Sequence, residues 1–213
     1  MEALTKWHND ALGKRAAAAL GKNRFAAVYF SDRESAVAHV LSLVAEGSSV
    51  GIGGSKTEKT LGISDKLKAK GCTIFDHNGP GVSKEEKPAI RHKQLASDVF
   101  VSSSNAVTLT GELVNVDATG NRVAAMIFGP KRVIVIVGTN KIVRNLEDAD
   151  KRIRMTAAPL NNKRLERGNP CLQTGECVDC HSATRICNVT TIMRRPPSET
   201  DVHVVIIGEE LGY

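Results

Sequence analysis

A chain of 213 residues, 41% of them hydrophobic, is long enough to bury a sizeable core as one domain, and with only 4% aromatic residues that core must be aliphatic. A formal net charge of +6 and a pI near 9.1 suit anionic partners. No apolar run reaches membrane-spanning length and the first, residues 16–20, is too short for a secretion signal, so the expectation is a cytoplasmic protein with no membrane span and with reduced thiols.

Leu4, Trp7, Ala11, Leu12, Ala16 and Ala19 recur at helical spacing, which predicts an N-terminal helix within residues 1–23. A short apolar run, 25–30, leads to Ser31-Asp32-Arg33-Glu34, where the S-x-x-E pattern predicts a capping box. The helix behind it carries Val37, Val40, Leu41 and Val44 as its buried stripe. Residues 49–52 read as a strand running into Gly51-Ile52-Gly53-Gly54-Ser55; Ser55 with Glu58 forms a second box opening a helix to Lys70, and 73–75 is the next strand. Strand, glycine turn, helix and strand make one βαβ unit.

A third box, Ser83 with Glu86, opens a helix through Leu95, in which Pro88 fits best as the first residue. Short strands follow at 99–101, 106–109 and 113–116, separated by polar turns. The run 132–137 is apolar after Arg132, as a buried parallel strand requires. Leu146, Ala149, Ile153 and Ala157 mark a helix that begins at Asn145 and stops before Pro159, and 202–207 is the last strand. Because strands alternate with helices, the expected fold is α/β, a mainly parallel sheet flanked by helices, with residues 161–197 as a cysteine-rich insertion before the closing strand.

Three groups of residues can carry chemistry. Gly51, Gly53, Gly54 and Ser55 lie where strand gives way to helix, so free backbone N–H groups favour a carboxylate or phosphate there, although a tight βα turn needs such glycines with no ligand at all. The spacing is neither a dinucleotide fingerprint nor a P-loop. Asn105, Glu112, Asn121 and Arg122 belong to a polar group near strand ends that suits a pocket at the carboxyl edge of the sheet, with Glu112 as general base and Arg122 as carboxylate clamp. Turn formation alone is the competing explanation. His77, at a strand end, is a further candidate for substrate contact, whereas Cys72 reads as a buried small hydrophobe.

The third group is Cys171, Cys177, Cys180 and Cys187, four of the five cysteines within seventeen residues, spaced C-x5-C-x2-C-x6-C. Soft thiolates select zinc or an iron–sulfur cluster. Zinc sites usually pair two short knuckles, and here only Cys177 and Cys180 form one, so the uneven spacing leans towards a [4Fe–4S] cluster, with structural zinc and oxidisable thiols as the alternatives. Upstream, ten Lys or Arg face four Asp or Glu between Lys131 and Arg167. No aromatic residue lies between Phe128 and Tyr213, so stacking platforms for nucleic acid are missing and small anions or an acidic partner protein are expected instead.

Taken together, Gly51-Ile52-Gly53-Gly54-Ser55, Asp76-His77-Asn78, the stretch from Asp98 to Ala106, Thr110-Gly111-Glu112 through Asp117, Gly120-Asn121-Arg122 and the run from Cys171 to Asn188 resemble the LUD (lactate-utilisation) domain family, in particular stand-alone members with a C-terminal four-cysteine cluster. The resemblance covers almost the whole chain beyond the first helix. It implies a fold similar to that of glucosamine-6-phosphate deaminase, ribose-5-phosphate isomerase and CoA transferases, and involvement in oxidising L-lactate beside iron–sulfur partner subunits. It transfers no catalytic residue.

The leading expectation is a redox-associated protein that binds a small carboxylate or phosphate and a [4Fe–4S] cluster, an oxidoreductase component acting on a 2-hydroxy acid such as lactate, with an electron-transfer partner protein or a second copy of itself. No flavin or nicotinamide motif is present. The alternatives are a sugar-phosphate isomerase or acyl-CoA transferase-like enzyme using Glu112 beside structural zinc, and a non-catalytic electron-transfer subunit whose basic face docks an acidic partner.

Overall fold

The structure, a computed structural model, describes residues 2–213, with no side chain described for Glu2. Its centre is a parallel sheet of six strands: β1 (Ala26–Phe30), β2 (Ser49–Ile52), β3 (Thr73–Phe75), β4 (Val99–Ser102), β7 (Arg132–Gly138) and β10 (Asp201–Ile207). They lie in the order β1-β10-β7-β4-β2-β3, and every neighbouring pair is parallel. This is the α/β arrangement the alternation of strands and helices predicts.

Residue alternation on β7 explains how the sheet is covered. Val133 to Val137 are all fully buried, so the strand has no solvent face. Ile134 and Ile136 join Val40, Ile52, Leu67 and Val205 under the helices α2 (Arg33–Ser42), α3 (Lys56–Leu61) and α4 (Ile63–Ala69). Val133, Val135 and Val137 join Leu20, Phe100, Met126 and Val204 on the other face, beneath α1 (Glu2–Lys22), α5 (Lys87–Leu95) and α6 (Asn121–Ile127). Burying one such side chain contributes about 1.5–3 kcal/mol, so the central strands carry a large share of the hydrophobic stabilisation.

A second sheet was not foreseen from the sequence. It consists of β5 (Ala106–Thr108), β6 (Leu113–Asp117), β8 (Ile142–Val143) and β9 (Val189–Met193), in the order β8-β5-β6-β9. The β5–β6 and β6–β9 pairs are antiparallel and β5–β8 is parallel. Its inner face, through Val107 and Leu113, packs onto the main sheet, and its outer face packs against α7 (Leu146–Arg152) and the segment after it through Ala106, Val114, Ala149 and Ile153. The cysteine-rich stretch expected to be an insertion therefore ends in a paired strand, because Val189–Met193 supplies the edge that β6 needs.

Several local expectations are altered by competing partners. Asp32, not Ser31, caps α2, its carboxylate accepting from Ser35 N at 2.8 Å. Ser55 caps α3, but Glu58 turns to Ser64 instead of closing the box, and Gly62 with φ +63° splits the expected helix into α3 and α4. The Ser83–Glu86 box forms in both directions, at 2.8 and 3.3 Å. Pro159 does not stop the helix that begins after Asn145. The chain passes through a π turn, Ile153–Ala157, and Pro159 then falls in the first turn of α8 (Ala158–Arg164), where no N–H is needed.

Leu4 and Trp7 of α1 are exposed, and the helix buries Ala16 and Leu20 instead. Among the described residues no helix is long and apolar enough to cross a membrane.

Gly129, in the turn from α6 to β7, has φ +115°, and a Cβ there would fall on the Leu95 carbonyl oxygen. Gly129→Ala should cost about 1–3 kcal/mol for the backbone conformation alone, with the clash adding to it. A lowered midpoint in urea unfolding is the expected reading, and an unchanged midpoint would show that the turn can rearrange.

Candidate functional site

The carboxyl ends of five parallel strands open onto one cleft of about 590 Å³. β2 delivers Gly53, Gly54 and Ser55; β3 delivers His77 and Asn78; β4 delivers Ser102 to Asn105; β7 delivers Lys141; and β10 leads to Gly212 and Tyr213. The chain passes from β3 on one side of β2 to β4 on the other, and such a switch in strand order leaves a crevice at the carboxyl edge. Helix α6 adds Asn121 and Arg122, and the region around α8 and the cysteine loop adds Asn161, Arg164, Arg167 and Ile186.

The glycines meet different demands. A Cβ on Gly53 would lie 2.5 Å from Ser102 Oγ, and Gly54 has φ +72°, so neither position accommodates a side chain. Gly51 is buried and faces Phe100, Ser97 and Gln94, so it belongs to the helix–sheet packing and not to the cleft. Of the residues expected to bind a ligand, Gly53, Gly54, Ser55, Asn105, Asn121 and Arg122 are brought together and Gly51 is not.

Arg122 is placed in the cleft wall, but its donors are turned inward. It meets Asp117 at 2.8 Å, Asn115 Oδ1 at 2.6 Å, Asn105 Oδ1 at 3.0 Å and the carbonyls of Ser103 and Val116 at 3.0 Å. The guanidinium organises the wall and does not stand as a free clamp. Glu112 lies elsewhere: it sits in the β5–β6 hairpin, accepts from the Thr108 and Thr110 hydroxyls, and neighbours α1 through Asn23, which donates to Gly111 O at 2.8 Å. The hairpin runs away from the cleft, so the strand end that carries Glu112 is the wrong one for a base there.

Charge is the dominant property of the site. Among the described residues the lining holds eight cationic side chains, Lys56, Lys84, Lys87, Arg91, Arg122, Lys141, Arg164 and Arg167, and one carboxylate, Asp117. Asp117 is already engaged by Arg122, so the excess is open to an anion. His77 is buried, lies 3.0 Å from Gln94 Nε2 and 3.1 Å from Asn78 Nδ2, and is pushed below the usual histidine range by burial and by Arg91. Arg91 Nε and the Tyr213 hydroxyl are buried without a protein partner. Lys141 and the rim cations escaped sequence reasoning, because only the sheet order gathers them; the signal available was Lys141's position just past a wholly apolar strand.

The cysteine loop touches the cleft at one residue. Ile186 lines the cleft beside Cys187, and Asn188 is tied to Asp117 O at 2.9 Å and to Ala118 O at 3.1 Å. Within the loop, Arg185 links the Cys180 carbonyl at 2.8 Å, the Cys187 carbonyl at 3.1 Å and Asp179 at 2.8 Å. Cys171 Sγ accepts from Asn162 Nδ2 at 3.3 Å and Cys177 Sγ from Asp179 N at 3.4 Å. Burial raises the Cys171 thiol, and the charges of Cys180, Cys177 and Cys187 raise it further. Backbone and hydroxyl donation from Ser182 lowers Cys180.

All five cysteines are free thiols, and among the described residues no group of three or more His, Cys, Asp or Glu stands in position to hold a metal ion. Four thiols are the donor type that a thiolate-ligated cluster would use, but their arrangement among the described residues does not form such a group. His181 is exposed, and Cys72 is buried, as the sequence suggests for the cysteine.

Comparison with solved structures finds a DUF162 family protein from Deinococcus radiodurans, with a TM-score of 0.52 at 13% identity over 93% of this chain and 98% of that one. At that identity the likeness is one of fold. A malonate decarboxylase alpha subunit from Acinetobacter baumannii gives a TM-score of 0.38 at 11% identity, over 97% of this chain and 38% of that one. No curated protein matches the chain. Residues 13–207, which carry both sheets, most of the cleft and the cysteine loop, match the LUD domain, and the chain belongs to the LUD domain family.

Proposed function

We propose that this LUD-domain chain is a redox-associated protein of lactate utilisation that binds a small carboxylate or phosphate in the basic cleft. The observation that carries the reading is a cleft lined, among the described residues, by eight basic side chains and one side-chain carboxylate, which the four-cysteine loop touches through Ile186. Cys171, Cys177, Cys180 and Cys187 would hold a [4Fe–4S] cluster, which when bound supplies one-electron transfer. The chain's own residues attract the anion through Lys84, Lys87 and Arg91 on one rim and Arg164 and Arg167 on the other. Neutral His77, held by Gln94, is the residue best placed to accept a proton at the cleft.

The rival reading, a sugar-phosphate or acyl-CoA enzyme with Glu112 as its base, loses support because Glu112 stands away from the cleft. A docking role is favoured by the exposed Lys163, Arg164 and Arg167 beside the cysteine loop, a basic face suited to an acidic electron-transfer partner.

Anaerobic purification followed by iron, sulfide and zinc analysis tests the cluster. The expected result is about four irons and four sulfides per chain, with the visible absorption lost in Cys177→Ser. One zinc per chain and no sulfide would end the redox reading and leave the loop as a structural clasp.

A further inference from the structure

In the cleft lining stands a buried lysine with no acidic side chain beside it. Lys141 is 4% exposed, and its Nζ donates to Thr57 Oγ1 at 2.9 Å and to Ser103 Oγ at 2.8 Å. An ammonium has three donors, so two hydroxyls leave one unused.

The elements around it offer no counter-ion. Helix α3 supplies Thr57, while its own Glu58 faces Ser64 N at 2.8 Å and Ser64 Oγ at 2.6 Å. Helix α6 presents Arg122, whose partner Asp117 is taken. Helix α7 presents Arg152, bonded to the carbonyls of Asn140 and Asn105. The C-terminal stretch passes overhead, where a Cβ on Gly212 would lie 3.4 Å from Lys141 Nζ, and its Glu209 is held by Arg33. The charges that reach Lys141 are Arg152 and Arg122, both positive.

The same cleft holds two further polar groups without partners, Arg91 Nε and the Tyr213 hydroxyl. Buried polar groups are normally satisfied, so unmatched ones on two residues that line the cleft require an explanation, and a bound ligand is one.

We propose that Lys141 forms a buried subsite for one acidic group of the cleft's ligand, a carboxylate or a phosphate, and binds it as an ammonium that has taken a proton from solvent. The inference rests on the reading of the cleft as an anion site. Burial, together with Arg152 and Arg122, lowers the empty-state pKa of Lys141 to about 7, so the unliganded amine is largely neutral above that pH. An entering anion restores the ammonium, and proton uptake accompanies binding. By linkage, affinity should fall as pH rises above 7, approaching about tenfold per pH unit.

The test is calorimetry of the full chain with L-lactate and with sulfate, neither of which titrates in the working range, in buffers of different ionisation enthalpy. Uptake of about 0.9 proton per site at pH 8 and about 0.1 at pH 6 is expected from a pKa of about 7. Lys141→Arg, which keeps its charge at both values, should bind without uptake, and Lys141→Met should bind at least about tenfold more weakly. Binding by the parent protein at pH 8 with no proton taken up would overturn the role of Lys141 while leaving the anion cleft standing. If neither probe binds at millimolar concentration, the cleft reading itself fails and the subsite with it. Preference for lactate or for sulfate tells a carboxylate site from a phosphate site.

Discussion

Arg122→Leu is expected to lower the unfolding free energy by about 3–5 kcal/mol, the range for removing one partner of a buried ion pair. Arg122 and Asp117 have side chains only 13% and 10% exposed and meet at 2.8 Å. Asp117 also accepts from the backbone N–H of Arg122 and Val123 at 3.1 and 3.2 Å, which fixes the start of α6 on the end of β6. The guanidinium binds the side-chain carbonyls of Asn105 and Asn115 as well, so its loss leaves several acceptors unpaired along with a carboxylate. With total stabilities of about 5–15 kcal/mol, this one change removes a large fraction. Urea midpoints of the parent, Arg122→Leu and Arg122→Leu/Asp117→Asn provide the measurement. The double variant should recover part of the loss, because the uncompensated charge is gone. A single variant within about 0.5 kcal/mol of the parent would mean that water reaches the pair and the wall is not closed.

Lys141→Met should change the pH dependence of stability more than any other single substitution in the cleft. The sign follows from where the proton sits. Unfolded, a lysine keeps its proton up to its ordinary value of 10.5; folded, Lys141 gives it up at about 7. Between those values the unfolded chain binds the extra proton, so raising pH favours the fold, by about 1.4 kcal/mol per pH unit. The destabilisation is fully present below pH 7 and vanishes above 10.5. Its upper size, from 10.5 less about 7, is on the order of 5 kcal/mol.

Replacing the amine with an apolar side chain abolishes this contribution. The stability difference, variant minus parent, should therefore be most favourable to the variant near pH 6 and decline steadily towards pH 10. Denaturant unfolding at several pH values, with the two proteins side by side, isolates the contribution from every other titrating group. Parallel curves for parent and variant would show that Lys141 keeps its proton in the fold. Sulfate, as a ligand of the proposed subsite, should flatten the slope of the parent and leave that of the variant unchanged.

What the chain determines locally was open to reading. Val133 to Val137 read as a buried parallel strand, Gly53-Gly54 as part of a strand-to-helix turn, and Asn145 as the start of the helix it caps, and all three hold. The cysteine spacing announced a sulfur-rich loop, and the resemblance carried by the motifs along the chain agrees with the family match over residues 13–207. These features depend on steric, capping and periodicity rules that act over a few residues.

The tertiary structure decided what depends on residues far apart. Val189–Met193 became a strand because β6 had an open edge, and the helix crossed Pro159 because a π turn placed that residue where it needs no hydrogen bond. Glu112 and Arg122 illustrate the limit best. Both look like site residues by composition, yet the β5–β6 hairpin carries one away from the cleft and the Asn105–Asn115–Asp117 cluster consumes the donors of the other. Lys141 is the converse case: an ordinary lysine in sequence, it owes its lowered pKa to a sheet order that sets β7 beside β4 and buries the amine among hydroxyls and cations. Hydrophobic patterning specifies which residues go inside, but only strand order specifies which polar residues meet there.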